Sequence, residues 1–307
     1  MDYKTTINNL RNWIIKNTFL KQIIIKQNQQ SIIQLAKSTR NIALNPVPPV
    51  SGNGHIEHYY HFIFDLLLPL SILIKKTPSD IIFSLKEIGI LTPFLLKLFD
   101  NRVRIQSNFD VLPEEKKVNL IGMNPKTINI HYFQLQNLKE LICANLNIVS
   151  TDKPNKILLI ERLPPNPYYL NSANIKGAGS SRRAIKNHKE LEKSIKSKVS
   201  PNYEFHNLKL EHMSLEDQIK YFDSAVAVIA QHGAGLANIL WMPKNSIVIE
   251  FGYNSRAHFK KISASMQHDY FSFENNESHI EINCLEFSNW LSENEVTRDI
   301  FIGENTL

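Results

Sequence analysis

The chain has 307 residues, 43% of them hydrophobic, which is enough for two ordinary cores, so two domains are expected. Its formal net charge of +6 lies in residues 1–40, where Lys4, Arg11, Lys16, Lys21, Lys26, Lys37 and Arg40 face Asp2 alone, and the balanced remainder excludes a diffuse nucleic-acid-binding surface. No apolar run reaches the roughly 18 residues that cross a bilayer, and Cys143 and Cys284 make neither a metal-ligand spacing nor a disulfide framework, which suits a reducing, cytoplasmic compartment.

In chain order, Leu10, Trp13, Ile14, Asn17, Leu20 and Ile24 follow helical spacing with basic residues between them. Such a helix can lie on an anionic membrane, which would make the protein peripheral to the inner face. A core-packing helix followed by a strand at Ile23-Ile24-Ile25 is the more ordinary use of the same pattern. The densest cluster of turn residues runs from Asn45 to Gly54. It leads into a helix from His55 to Leu68, stopped or kinked by Pro69. Strand-like runs at 81–84, 102–105 and 119–122 alternate with helical stretches near 90–99 and 133–147, the pattern of a parallel α/β domain. Thr151 to Asn155 reads as a linker, dividing the chain into domains 1–150 and 151–307. A second α/β pattern follows, with a strand at 156–160, a helix at about 188–197, a strand near 203–207 and a helix at 214–223.

The segment from Ala225 to Glu250 carries the most information. Ala225 to Ala230 reads as a strand buried on both faces. It enters the turn Gln231-His232-Gly233-Ala234-Gly235, then a helix-compatible stretch from Leu236 to Met242, then a second strand from Ser246 to Glu250. The glycines allow close approach of backbone to a ligand, and a helix N-terminus suits phosphate. His232 at the lip would add a donor that can become cationic. A glycine turn that only packs helix on strand uses the same residues.

Two further constellations bear chemistry. On a helix, Glu57, His61 and Asp65 are spaced by four and share a face. Asp65 stands among Phe62, Ile63, Phe64, Leu66 and Leu67, where an unpaired carboxylate is costly, so His61 is its expected partner. An Asp that orients a His makes a general base, with Glu57 in reserve. A buried structural His–Asp pair is the alternative. Ser180-Ser181-Arg182-Arg183 follows Gly177-Ala178-Gly179, and arginine forks bind diphosphates well, although a solvated basic loop looks the same. An Asp-x-Asp pair, a Walker loop, Gly-x-Gly-x-x-Gly and Gly-x-Ser-x-Gly are all missing, and no metal site is expected.

In order and spacing these pieces resemble glycosyltransferase family 61. The resemblance rests on His58-Tyr59-Tyr60-His61-Phe62-Ile63-Phe64-Asp65 with Pro69, Ile160-Glu161-Arg162, and Ser181-Arg182-Arg183 with Asn187 and Glu190. It continues through Met213 to Gln218, His232-Gly233-Ala234-Gly235-Leu236-Ala237-Asn238, Met242-Pro243 and Val248-Ile249-Glu250. Phe62 stands where the family usually shows Trp, and Ala237 where Thr is common. The resemblance implies α/β architecture of the GT-B type: two Rossmann-like parallel domains facing a central cleft, with the donor held by the C-terminal one. It implies metal-independent, inverting transfer from a nucleotide sugar, UDP-linked by expectation, with no further cofactor. The acceptor would be a glycan or a lipid-linked glycan in surface polysaccharide assembly, such as capsule or lipopolysaccharide. Arg162, Arg182 and Arg183, with the turn at His232, Gly233, Ala234, Gly235 and Asn238, would hold the donor diphosphate. Glu250 at a strand end suits a ribose hydroxyl. A non-catalytic nucleotide-sugar or glycan adaptor, or a nucleotide-sugar epimerase, stays open on the same fold.

Overall fold

The computed structural model describes residue 32 and residues 39–47, 55–99, 101–113, 117–123, 125, 129–171, 178–252 and 257–301. The basic helix and the strand at Ile23 to Ile25 therefore lie outside the described residues. Among the described residues no helix is long and apolar enough to cross a membrane. The chain divides into two units, Met1–Leu146 and Asn147–Leu307.

The first unit contains β1 (Asn41–Val47), β2 (Ile82–Leu85), β3 (Val103–Ile105) and β4 (Lys117–Ile121), in the order β3-β2-β1-β4. Every pairing is parallel. The strand order reverses between β1 and β4. Asn45, Pro46 and Val47, expected in a turn, instead close β1. Proline is tolerated there because β2 pairs only with Asn41 to Ala43. The Val47 carbonyl accepts from Gly122 on the β4 side, so Pro46, one residue earlier, turns its missing N–H to the side where pairing has ended.

After β1 the chain forms one continuous helical stretch: Tyr59–His61, a π segment Phe62–Leu67, and Leu68–Lys76. Pro69 does not stop it. A proline cannot donate to the carbonyl one turn back, and the Phe64 carbonyl takes its bond from the Met123 N–H at 2.7 Å instead. The wider π turn, closed by Leu68 N–H on the Ile63 carbonyl, accommodates that exchange. Phe62, Ile63, Phe64, Leu66 and Leu67 are all buried, and Leu68–Lys76 packs on the helix Tyr132–Asn145.

The second unit contains β5 (Lys156–Ile160), β6 (Ala184–Ile185), β7 (Glu204–Leu208), β8 (Ala225–Gln231), β9 (Ile247–Phe251), β10 (Asp269–Phe273) and β11 (His279–Ile280). Five form a parallel sheet in the order β10-β9-β8-β5-β7, and β6 pairs with β11. In this sheet the order reverses between β5 and β8. Both faces are covered, as a parallel sheet requires. Ile157, Leu159, Ala227, Ile229, Ile247 and Ile249 share a core with Leu191, Ile195, Phe287 and Leu291 of the helices His188–Lys198 and Cys284–Glu293. The alternate residues Leu158, Val228 and Val248 are also fully buried. The helices Leu215–Asp223 and His258–Met266 pack on the segment Ala234–Trp241. That segment is a 3₁₀ helix beginning at Ala234, two residues earlier than expected. Both sheets are parallel and interleaved with helices, so the α/β class holds.

Candidate functional site

In parallel α/β sheets, ligands bind beyond the carboxyl ends of the strands where the strand order reverses. Each unit brings sequence-predicted residues to that place.

In the first unit the place lies beyond β1 and β4. The π segment follows β1 and seats Asp65 against Gly122, the residue just after β4. Asp65 Oδ2 lies 2.6 Å from His61 Nδ1. The Asp65 side chain is 2% exposed and that of His61 22%, so the imidazole is the member a substrate can reach. With Nδ1 turned to the carboxylate, Nε2 is the nitrogen left for proton transfer. Asp65 Oδ1 is buried and has no hydrogen-bond partner among the described residues. Burial raises the Asp65 pKa above the usual carboxylate value, while the hydrogen bond and charge of His61 pull it partly back. Burial, then the Asp65 charge, pushes the neighbouring Tyr60 phenol upward.

Glu57 departs from its expected place. The helix begins at Tyr59, so Glu57 sits in the preceding turn and not on a face with His61. Its Oε1 lies 3.4 Å from His55 Nδ1.

In the second unit the place lies beyond β5 and β8. Arg162 follows β5 and His232 follows β8. Arg162 donates through Nη1 to the His232 carbonyl at 3.3 Å and through Nη2 to the Gly179 carbonyl at 3.0 Å. Its buried Nε has no hydrogen-bond partner among the described residues. Burial lowers the Arg162 pKa from its usual value, Glu211 opposes that, and nearby Arg182 adds to it. Arg183 is buried and donates to the same His232 carbonyl at 3.5 Å, whereas Arg182 is exposed. Two guanidiniums thus converge on one carbonyl, with a third cation beside them.

Local geometry enforces this convergence. A Cβ at residue 233 would lie 1.9 Å from Arg162 Nη1, so only glycine lets the guanidinium lie across the turn. Gly179 has φ +60, and a Cβ there would lie 2.5 Å from the Leu163 carbonyl oxygen. Ser180 N–H donates to that same carbonyl at 2.7 Å. Pairing of β6 with β11 fixes the far end of the arginine-bearing segment. A Cβ at Gly235 would lie 2.8 Å from Leu210 Cδ1.

Three residues expected on the donor side are buried and bonded to protein groups. His232 is not at a lip; it is 3% exposed, its Nδ1 pairs with Glu250 Oε1, and its ring packs on His258 and Phe259. Glu250, expected to take a ribose hydroxyl, is buried, and its other oxygen accepts from the Tyr270 hydroxyl. Burial and the Glu250 charge raise the Tyr270 pKa, which keeps the phenol protonated as the donor. Asn238 is fully buried: it donates to Gln218 Oε1 at 2.9 Å and accepts from Trp241 Nε1 at 3.1 Å. Tyr270, Glu250 and the His232 ring together brace the carbonyl on which the arginines converge. Sequence reasoning missed Tyr270, Gly122 and Glu211. Tyr270 lies on a strand that no apolar run announced, and neither Gly122 nor Glu211 falls within a recognisable motif. Among the described residues no group of three His, Cys, Asp or Glu side chains is placed to hold a metal ion.

Residues 59–249 match the family model described as Glycosyltransferase 61. Comparison with curated proteins gives no match. The matched stretch takes in the His61–Asp65 helix, the arginine segment and the turn after β8, more than half of the chain, and on that match the chain belongs to glycosyltransferase family 61.

Proposed function

We propose that the protein is an inverting, metal-independent glycosyltransferase on a GT-B fold, moving a sugar from a nucleoside-diphosphate donor to a glycan or lipid-linked acceptor. The observation that carries this reading is the convergence of Arg162 and Arg183 on the His232 carbonyl, with Arg182 beside them, where the strand order of the second sheet reverses. A leaving diphosphate needs positive charge already in place, and fixed guanidiniums supply it without reorganising at the moment of bond breaking.

In the proposed reaction the acceptor hydroxyl attacks the anomeric carbon from the side opposite the diphosphate. The new C–O bond forms as the bond to the phosphate oxygen breaks. The hydroxyl proton passes to His61 Nε2, and Asp65 stabilises the imidazolium. The electron pair leaves with the diphosphate, whose charge Arg162, Arg182 and Arg183 meet.

The test is release of nucleoside diphosphate from a panel of UDP-, GDP- and dTDP-sugars, with and without candidate acceptors and in excess EDTA. Release that persists within about twofold in EDTA and falls in Arg183→Ala is the expected result. Complete loss in EDTA restored by manganese would overturn metal independence. Binding without turnover on any acceptor would favour a non-catalytic adaptor.

A further inference from the structure

With both Glu250 oxygens engaged by His232 and Tyr270, the second unit needs another acceptor for the sugar hydroxyls of a nucleotide. Topology points to its place. In dinucleotide-binding sheets, phosphates sit over the loop after the first strand, and an acidic residue beyond the neighbouring second strand takes the ribose hydroxyls. Here β5 is the first strand of the five-stranded sheet in chain order and β7 the second. They are paired in parallel, with Ile160 opposite Leu208. The Glu161 N–H continues the ladder by donating to the Leu208 carbonyl at 2.9 Å, so the two loops leave the sheet side by side.

The loop after β5 carries Arg162. The loop after β7 carries the 3₁₀ turn Leu210–His212. That turn is anchored: Gln218 donates to the Leu210 carbonyl at 3.0 Å, and Leu210 packs on Gly235. Glu211 and His212 are exposed, and Glu211 is the acidic one. Partial burial raises its carboxyl pKa, while its own and the Leu163 backbone N–H and the Arg162 charge pull it back. It therefore combines three properties that a ribose acceptor needs: exposure, a fixed backbone, and adjacency to the phosphate-binding arginine.

We infer that Glu211 accepts hydrogen bonds from the ribose hydroxyls of the donor nucleotide and selects ribonucleotides over 2′-deoxyribonucleotides. The inference rests on the nucleotide-sugar reading above. Removing Glu211 also removes a negative charge beside Arg162, which on its own strengthens phosphate binding. The ratio between ribo and deoxy ligands is therefore the informative quantity.

Isothermal titration of the full chain with UDP and 2′-deoxy-UDP, and with GDP and 2′-deoxy-GDP, measures that ratio in the wild type, Glu211→Gln and Glu211→Ala. A hydrogen bond to a charged group predicts that the wild type prefers the ribonucleotide by about tenfold or more. Glu211→Ala should bind both forms alike, and Glu211→Gln should fall between. An equal ribo preference in wild type and Glu211→Ala would overturn the inference while leaving the nucleotide-sugar reading intact. A wild type that binds none of the four ligands would overturn both. Unaltered discrimination with lost turnover would also overturn it, and would move Glu211 to the acceptor side.

Discussion

Asp65 fills the space in which any side chain at residue 122 would have to stand: a Cβ on Gly122 would lie 2.4 Å from Asp65 Oδ1. The carboxylate and the strand end are thus fitted to each other, and the imidazole of His61 is aimed through that fit. Gly122→Ala should displace Asp65 and, through it, His61. A displacement of about 1 Å in a proton-transfer group costs on the order of 10²-fold in rate. A transfer assay on the folded variant checks this, and turnover within twofold of wild type would refute it.

His61→Ala should lower kcat by about 10²-fold or more, the usual contribution of a general base. The affinity for UDP should not change, because His61 belongs to the first unit and the arginines to the second. Steady-state kinetics together with UDP titration separate the two effects. Near-normal turnover in a folded variant would move proton transfer to another group.

The stability of Asp65→Asn should depend on pH in a definite sense. Burial raises the folded-state pKa of Asp65 above its unfolded value of about 3.9. Its contribution to stability is then fully present below the unfolded pKa and lost as pH rises through the folded pKa. Asparagine does not titrate. Thermal melts should show the asparagine variant gaining on wild type as pH rises from about 4, while its turnover falls. A constant difference in Tm across that range would contradict the expectation.

Gly233→Ala should drive the Arg162 guanidinium off the turn, since its Cβ would lie 1.9 Å from Nη1. Donor affinity should drop by about tenfold or more, comparable to losing one hydrogen bond to a charged group. Arg183→Ala should act in the same direction. Nucleotide titration of both variants provides the check, and unchanged affinity would separate the convergence from donor binding.

Asn238→Ala should behave in the opposite way. It leaves the Trp241 N–H and the Gln218 carbonyl group without their buried partner, a loss of about 1–3 kcal/mol each. A lower Tm with unchanged donor affinity in the folded fraction is expected. Weaker binding at full stability would restore Asn238 to the donor side.

The parts of the fold that were legible in the sequence are those where burial is complete. β8 and β9 are buried on almost every residue, so they read as unbroken apolar runs. β10 is a half-exposed edge strand, Asp-Tyr-Phe-Ser-Phe, and without a continuous apolar run it gave no signal. β1 was hidden by Pro46, whose turn propensity counts for nothing once one side of the strand is unpaired. At the site, His61 with Asp65 was readable because both lie within one turn of helix. The buried protein partners of His232, Glu250 and Asn238 were not. The residue types were right for a nucleotide site, but whether a polar side chain meets ligand or protein depends on neighbours far away in sequence. Tyr270, which occupies Glu250, is one such neighbour.

The π turn between Phe62 and Leu67 carries a warning for anyone who would improve this protein. By every local measure the stretch invites regularisation: remove Pro69, drop one residue, and an ordinary helix would follow. An ordinary helix advances about 100° per residue, so a one-residue deletion there would turn His61 and Asp65 out of register with each other or with the strand end. Redesign guided by stability alone would select just such changes, trading activity for stability. The irregular turn is where the two requirements part.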